Sequence, residues 1–152
     1  MFFDIICVGD ESMKIFIVCS TSFYERVGDI KKELEGKGFE LEMPNCYDAP
    51  VTSEDNMKKS DEEYTAFFKE MYYESRDKIG SIDAILVLNY DKEKNGQVLK
   101  NYIGASTFLE MYEAFMQGKK IYLLNDYPDN LLVDDIKGFA PIVLNGNLDL
   151  II

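Results

Sequence analysis

The chain alternates between short apolar runs and longer segments whose apolar residues recur at helical spacing. Residues 14–19 (KIFIVC) and 82–88 (IDAILVL) are nearly unbroken apolar runs. Runs of this length and composition are typical of parallel strands that are covered on both faces. After the first run, apolar residues recur at i, i+4, i+7 and i+11, at Phe23, Val27, Ile30 and Leu34. This spacing predicts a helix beside the first strand, ending near Gly36 and Gly38.

The remaining elements follow from the same pattern. A capping box that begins at Ser60 predicts a second helix running to about residue 78, and Gly118 is expected to end a third helix over 105–117. The other segments are an edge strand over 39–43, a long loop over 45–56, a polar loop over 89–104, a strand over 120–125, a short helix over 129–136 and a last strand over 141–144.

Strands that alternate with helices predict a parallel sheet with right-handed crossovers and a layer of helices on each face. We therefore expect a flavodoxin- or Rossmann-like three-layer α/β fold, whose five-stranded, mainly parallel sheet has the order 2-1-3-4-5. Residues 14–152 are predicted to form a single domain, and residues 1–13 an N-terminal extension or an extra edge strand. Ligands of such sheets bind where the strand order reverses, so the site is expected near residues 20–23 and 89–110.

Composition and charge remove several classes of function. The formal net charge is −12, so the phosphate backbone of a nucleic acid would be repelled and polymeric nucleic acid is not an expected partner. The chain has no histidine, which excludes histidine-ligated zinc, Ser-His-Asp triads and imidazole bases. Acid/base chemistry would therefore use carboxylates, tyrosines, lysines or cysteines. No metal and no cofactor is predicted.

Neither a membrane span nor a signal peptide is expected. The apolar runs fall short of the roughly 18 residues that a span needs, and the apolar start of the chain lacks preceding basic residues and a small-residue cleavage pattern. The three cysteines, Cys7, Cys19 and Cys46, show no C-x-x-C spacing, which fits a reducing compartment. We expect a soluble, cytoplasmic protein without membrane contacts.

The loop and helix over 101–119 (NYIGASTFLEMYEAFMQGK) carry the most informative candidate chemistry. Gly104 permits close backbone approach at the start of the helix, and Glu110 follows about one and a half turns later. The expected apolar stripe is Phe108, Met111, Tyr112 and Phe115. Glu110 lies on the less apolar face, where it is either a carboxylate over the cleft or a solvated surface residue.

The same segment contains a series of spaced residues. They are a loop glycine, a threonine with a bulky neighbour, a glutamate, an alanine and a Gly-Lys pair before an apolar strand: Gly104, Thr107, Phe108, Glu110, Ala114, Gly118 and Lys119. The strand over 82–87 has an early aspartate, and residues 14–20 form an opening strand. In these features residues 14–125 resemble the nucleoside 2-deoxyribosyltransferase-like superfamily. The resemblance implies cleavage or transfer of an N-glycosidic bond on a small-molecule nucleoside or nucleotide.

In that resemblance Glu110 is the nucleophile that attacks the anomeric carbon, and a second carboxylate or Tyr90 assists departure of the base. The implied substrate contacts come from the loops after the first and third strands and from the start of the third helix: Ser20, Thr21, Ser22, Phe23, Asn89, Asn101, Gly104 and Ser106. The three hydroxyl residues would hold a ribose hydroxyl or a 5′-phosphate, or they cap the first helix. The aromatic second helix, with Phe67, Phe68, Tyr72 and Tyr73 around its surface, predicts a homo-oligomer.

The chain also departs from the superfamily pattern. Many members carry an aspartate just before the loop glycine, where this chain has residues 101–103 (NYI), and many carry a Gly-Pro after the first strand, where it has residues 20–22 (STS). Members also place an aspartate near the end of the second helix, and no carboxylate here is in register with it. A non-catalytic nucleotide-binding or sensing module is therefore a second hypothesis, and a TIR-like domain that cleaves NAD is a third. A phosphoacceptor receiver domain is disfavoured, because no acidic pair follows the first strand.

Overall fold

The computed structural model describes residues 12–152 and has a five-stranded parallel sheet in the order β2-β1-β3-β6-β7. The seven strands are β1 Lys14–Val18, β2 Glu40–Glu42, β3 Ala84–Val87, β4 Lys92–Lys94, β5 Gln97–Leu99, β6 Lys120–Leu123 and β7 Ile142–Val143. The five α-helices are α1 Tyr24–Gly36, α2 Ser53–Met57, α3 Asp61–Gly80, α4 Ala105–Met116 and α5 Val133–Gly138, and two 3-10 helices cover Thr21–Phe23 and Leu148–Leu150. Counted along the main sheet, the strand order is the predicted 2-1-3-4-5, so the predicted fold class is confirmed.

Two apolar cores, one on each face of the sheet, account for the three layers. Alternate residues of β1 point to opposite faces. Ile15 and Ile17 belong to the core beneath α1, whereas Phe16 and Val18 belong to the core beneath α3, α4 and α5. Every residue of β3 is buried, as the unbroken apolar run predicted for a central strand.

Local signals set the helix ends. Ser60 accepts a hydrogen bond from the Glu63 amide while the Glu63 carboxylate accepts one from the Ser60 amide, which confirms the predicted capping box at the start of α3. Gly118 follows α4 with a φ of 71°, a left-handed conformation that glycine adopts without strain.

Two predicted loops contain regular structure. Within the loop predicted over 45–56, Thr52 and Asp55 form a capping box that starts the short helix α2. Within the polar loop predicted over 89–104, β4 and β5 form an antiparallel hairpin. Its turn is Asn95-Gly96, and both residues have positive φ, as a two-residue hairpin turn requires. The Asn-Gly pair was the sequence signal for this hairpin.

The apolar stripe predicted for α4 is wrong in part. The buried residues of α4 are Thr107, Met111 and Ala114, whereas Tyr112 and Phe115 are about half exposed. Most faces of this helix are apolar, so helical spacing alone did not identify the face that packs on the sheet.

The predicted N-terminal segment over 1–13 lies almost entirely outside the described residues. Among residues 12–152, every helix is too short or too polar to cross a bilayer.

Candidate active site

A cleft of about 680 Å³ opens at the carboxyl ends of β1 and β2, beside α3 and the start of α4. Its wall includes Cys19 and Ser20 after β1, Asn45 after β2, Ser75 on α3 and Glu110 on α4. Nucleotide-sized ligands occupy pockets of roughly 300 to 1,000 Å³. The cleft lies where the sheet order reverses, as expected for this class of fold.

Glu110 lies in the second turn of α4 and is partly buried in the cleft wall. The Ser75 hydroxyl on α3 donates a 2.8 Å hydrogen bond to its Oε1 atom. Within the described part of the chain, no other side chain or amide donates to this carboxylate. Its Oε2 atom is therefore available to a ligand.

Ser75 is itself held by a chain of donors. Asn45 Nδ2 donates to the Ser75 oxygen at 2.7 Å, and Lys78 Nζ donates to Asn45 Oδ1 at 2.9 Å. Lys78 also donates to the Met43 carbonyl at 3.0 Å and pairs with the Glu74 carboxylate at 3.2 Å. A continuous hydrogen-bonded path thus connects the Lys78 ammonium with Glu110.

Burial dominates the electrostatics of the cleft. It raises the pKa of Glu110 to about 7, against the lowering effects of the Ser75 hydrogen bond and the Lys78 charge. Burial, together with the negative charge of Glu110, raises the pKa of the Cys19 thiol to about 12. The same two causes contribute to raising the pKa of the Tyr24 hydroxyl. Near neutral pH the thiol and the phenol are therefore neutral, and Glu110 exists in both its ionised and its protonated form.

The residues after β1 divide between the cleft and the helix cap. Ser20 and Thr21 line the cleft. The Ser20 oxygen also caps the 3-10 helix by accepting from the Ser22 amide at 3.4 Å, and it lies 2.7 Å from the Ser22 hydroxyl. Ser22 and Phe23 lie outside the cleft wall, and Phe23 is buried in the core beneath α1. Ser20 therefore caps the 3-10 helix and is also positioned to contact a ligand in the cleft.

Gly104 and Ser106 line the cleft at the start of α4. Gly104 is the N-cap residue, and a Cβ atom added to it would lie 3.4 Å from the Tyr102 hydroxyl. This distance is an ordinary van der Waals contact, so Gly104 packs against Tyr102, which is also part of the wall.

Besides Ser22 and Phe23, three more of the residues selected from the sequence lie away from the cleft wall. Asn89 is fully buried, and its amide holds the chain after β6 by donating to the Asp126 carbonyl at 2.7 Å and accepting from the Asn125 amide at 2.9 Å. The Tyr90 ring packs edge-on against Phe23, with the Arg26 guanidinium 3.4 Å from the ring centroid.

Asn101 is the third residue, and it has a positive φ of 49°. Its backbone amide donates to Asp91 Oδ1 at 2.9 Å, so it organises the loop that leads into α4.

Several cleft residues had no recognisable sequence signal. Asn45 and Ser75 are far apart in the chain and meet only after folding, and Ser75 is one of many helical positions in α3. Glu113 lines the cleft one turn after Glu110 and is the second carboxylate of the wall. Its Oε1 atom accepts a 2.8 Å hydrogen bond from Gln117.

Aromatic side chains form part of the cleft wall. Rings from α3 and α4 line it, including Phe67, Phe68, Tyr72, Tyr73 and Tyr112. Such rings provide flat apolar surfaces on which a planar ligand could stack. Residues 12–152 contain no cluster of three or more acidic or thiol side chains that could hold a metal ion.

No protein-family model matches the chain, and no curated protein matches it significantly. Solved structures are similar to it over most of its length. The CMP N-glycosidase BcmB of Clostridium botulinum is 17% identical, with 87% of this chain and 89% of that chain covered and a TM-score of 0.47. A 2-deoxyribosyltransferase of Bacillus psychrosaccharolyticus is 19% identical, with 80% of each chain covered and a TM-score of 0.48.

A flavoenzyme, the NAD(P)H:(acceptor) oxidoreductase FerB of Paracoccus denitrificans, is 12% identical, with 86% of this chain and 74% of that chain covered and a TM-score of 0.40. At these low identities the chemistry of the cleft rests on its own residues.

Proposed function

We propose that this protein cleaves or transfers the N-glycosidic bond of a nucleoside or nucleotide, with Glu110 as the nucleophile. The observation that supports this most directly is the position of the Glu110 carboxylate, which lies in the wall of a nucleotide-sized cleft with Oε1 held by Ser75. The sequence resemblance of residues 104–119 names the same glutamate and the same class of reaction.

The proposed reaction begins when a carboxylate oxygen of Glu110 attacks the anomeric carbon as the bond to the base nitrogen breaks. The electron pair of that bond leaves with the base, and positive charge develops on the sugar ring in an oxocarbenium-like transition state. Water, or the nitrogen of a second base, then attacks the anomeric carbon of the glycosyl ester and releases Glu110. The attack requires ionised Glu110, so the raised pKa predicts loss of activity as the pH falls below about 7.

A departing base that carries away an electron pair is a better leaving group when it is protonated. Tyr90 lies outside the cleft wall, whereas Glu113 lies in it. Residues at i and i+3 on a helix are neighbours, with roughly 5 to 6 Å between their Cβ atoms. We therefore assign the role of proton donor to Glu113 in this proposal.

Binding of the substrate is proposed to use both the hydroxyl and the aromatic residues of the cleft wall. Ser20, Thr21 and Ser106 line the cleft, and their hydroxyls can contact the sugar or its 5′-phosphate. The aromatic rings of α3 offer a stacking surface for the base.

The proposal is tested by incubating the wild-type protein and Glu110→Gln with deoxynucleosides, their 5′-monophosphates and NAD, and by quantifying free base by chromatography. Glu110→Gln keeps the shape of the side chain but removes the attacking charge. We expect turnover to fall by several powers of ten, which corresponds to about 4 kcal/mol of barrier or more. Glu33→Gln, an exposed change on α1 outside the cleft, is the matched control and should retain activity.

Equal base release by wild type and Glu110→Gln would refute the assignment of Glu110. Wild type that binds a nucleotide but releases no base would identify the protein as a nucleotide-binding module instead. Cleavage confined to NAD would favour the TIR-like activity.

A further inference from the structure

The side chains that face Glu110 do not include a second carboxylate from α3. The residue of α3 in contact with the Glu110 carboxylate is Ser75. Behind Ser75 are an amide and an ammonium group, Asn45 and Lys78. On the side of α3, Glu110 therefore faces a hydrogen-bond donor, Ser75, which is connected through Asn45 to the Lys78 cation.

The donor and acceptor groups fix the direction of the hydrogen bonds that lead from Lys78 through Asn45 and Ser75 to Glu110. An ammonium group has three donors and no acceptor, and those of Lys78 are directed at Met43, Asn45 and Glu74. Because Lys78 can only donate, Asn45 must present its carbonyl oxygen to Lys78 and its NH₂ group to Ser75. Ser75 then accepts from Asn45, and its own proton points to Glu110.

We propose that Lys78, Asn45 and Ser75 form a positioning chain that orients the Glu110 carboxylate from the side of α3 and favours its ionised form. None of the three residues is a catalytic residue in this proposal, since each acts through Glu110. The inference depends on the proposed function for its catalytic meaning, but the ionisation of Glu110 can be measured without any substrate.

Glu113 on α4 and Arg76 on α3 also line the cleft wall, but Lys78 provides the charge that acts on Glu110. The other titratable groups next to Glu110 and Lys78 are neutral or oppose the effect of Lys78. Cys19 after β1 and Tyr24 on α1 are close enough to Glu110 for its charge to raise the pKa of each, and both are neutral near pH 7. Glu74 pairs with Lys78 and so reduces the net charge behind Asn45. Lys78 is therefore the cation whose charge lowers the pKa of Glu110.

The test is a titration of carboxyl groups in protein labelled with ¹³C-glutamate, followed by NMR, with Glu110→Gln used to assign the Glu110 signal. Lys78→Met removes the cation at the end of the chain, and we expect the Glu110 midpoint to rise by about one pH unit. Lys78→Arg keeps a cation and should return the midpoint toward that of wild type. Lys69→Met, an exposed change on the same helix, is the matched control and should leave the midpoint unchanged.

Asn45→Asp provides a nearly isosteric second variant in case Lys78→Met fails to fold. The introduced carboxylate can accept from both Lys78 and Ser75, so the Ser75 proton would turn away from Glu110. The Glu110 midpoint should again rise by about one pH unit. Midpoints of Lys78→Met and Asn45→Asp that match wild type would overturn the proposal.

Activity gives a second, separable readout. If wild type releases base, the acidic limb of its kcat/KM profile should move upward in Lys78→Met by the same amount as the NMR midpoint, and Lys78→Arg should restore it. Midpoints that shift as expected in a protein that releases no base would leave the positioning chain supported and refute the proposed function. If Lys78→Met shifts the NMR midpoint of Glu110 but not the acidic limb of the kcat/KM profile, the positioning chain does not act on catalysis.

Discussion

The hydroxyl of Ser75 on α3 donates a 2.8 Å hydrogen bond to the carboxylate of Glu110 on α4. This contact joins two helices that are distant in the sequence. The Ser75 hydrogen bond lowers the pKa of Glu110, but burial raises it by more. Burial and hydrogen bonding at this point affect both the proposed chemistry and the stability of the protein.

The raised pKa of Glu110 predicts a pH-dependent cost to stability. The folded-state pKa of about 7 lies above the ordinary value of 4.5, so the unfolded chain releases the proton first as the pH rises. The free energy of unfolding should therefore fall between these two values and level off above the higher one. Glu110→Gln cannot ionise, so it should be more stable than wild type at about pH 8, by at most about 3 kcal/mol, and equal to it at about pH 4.

Urea unfolding of both proteins across this pH range measures the difference. Glu33→Gln serves as the control, because the same substitution on the surface of α1 should shift stability by at most about 0.5 kcal/mol at any pH. Wild type and Glu110→Gln with equal stability at every pH would show that Glu110 is not desolvated.

The position of Glu113 in the cleft wall predicts that Glu113→Gln slows release of ordinary bases, by about 100-fold if it donates the proton. The loss should disappear with a substrate whose base already carries a positive charge, such as a 7-methylguanine nucleoside, because that base leaves without a proton. Tyr90→Phe, which changes a ring outside the wall, should leave turnover within about twofold of wild type. The reverse ranking of the two variants would return the role to Tyr90.

Two cations, Lys92 and Arg76, lie in the wall of a cleft that belongs to a protein of net charge −12. Lys92 projects from the β4-β5 hairpin, with Nζ 4.6 Å from the Tyr102 ring centroid. We expect Lys92→Met to lower kcat/KM for a nucleoside 5′-monophosphate by about fivefold, the effect of a partly exposed ion pair, and to leave the unphosphorylated nucleoside unaffected. Lys94→Met, on the exposed end of the same strand, is the control. Equal losses for both substrates would argue against a phosphate contact.

The aromatic surface of α3 and α4 predicts self-association. Tyr72 and Tyr112 line the same cleft and are each 49% exposed, and Met116 on α4 is 61% exposed. Contiguous exposed apolar surface is typical of protein–protein contacts. Light scattering at micromolar concentration should give the mass of an oligomer, and Tyr72→Glu should reduce that mass. Leu131→Ser, a change at an isolated residue that is 98% exposed, should not. A monomeric mass for wild type would contradict the prediction.

The strand order and the main helices of residues 14–152 could be predicted from the sequence, because the signals for them are local. Two unbroken apolar runs identified the central strands β1 and β3, the capping box at Ser60 identified the start of α3, and Gly118 marked the end of α4. Alternation of strands and helices then leaves few sheet orders, and the order observed is the expected one. The Asn95-Gly96 turn was an equally local signal, which the polar character of its surroundings obscured.

Which residues surround Glu110 could not be predicted from the sequence. Asn45, Ser75 and Lys78 come from a loop and a helix that no spacing rule connects with α4, and they meet because the sheet order brings β1 between β2 and β3. Conversely, Asn89 and Tyr90 follow β3 where a ligand was expected, yet their side chains pack against neighbouring backbone and rings. Backbone pattern fixes where a strand ends, whereas the direction of each side chain depends on packing partners that are distant in the chain.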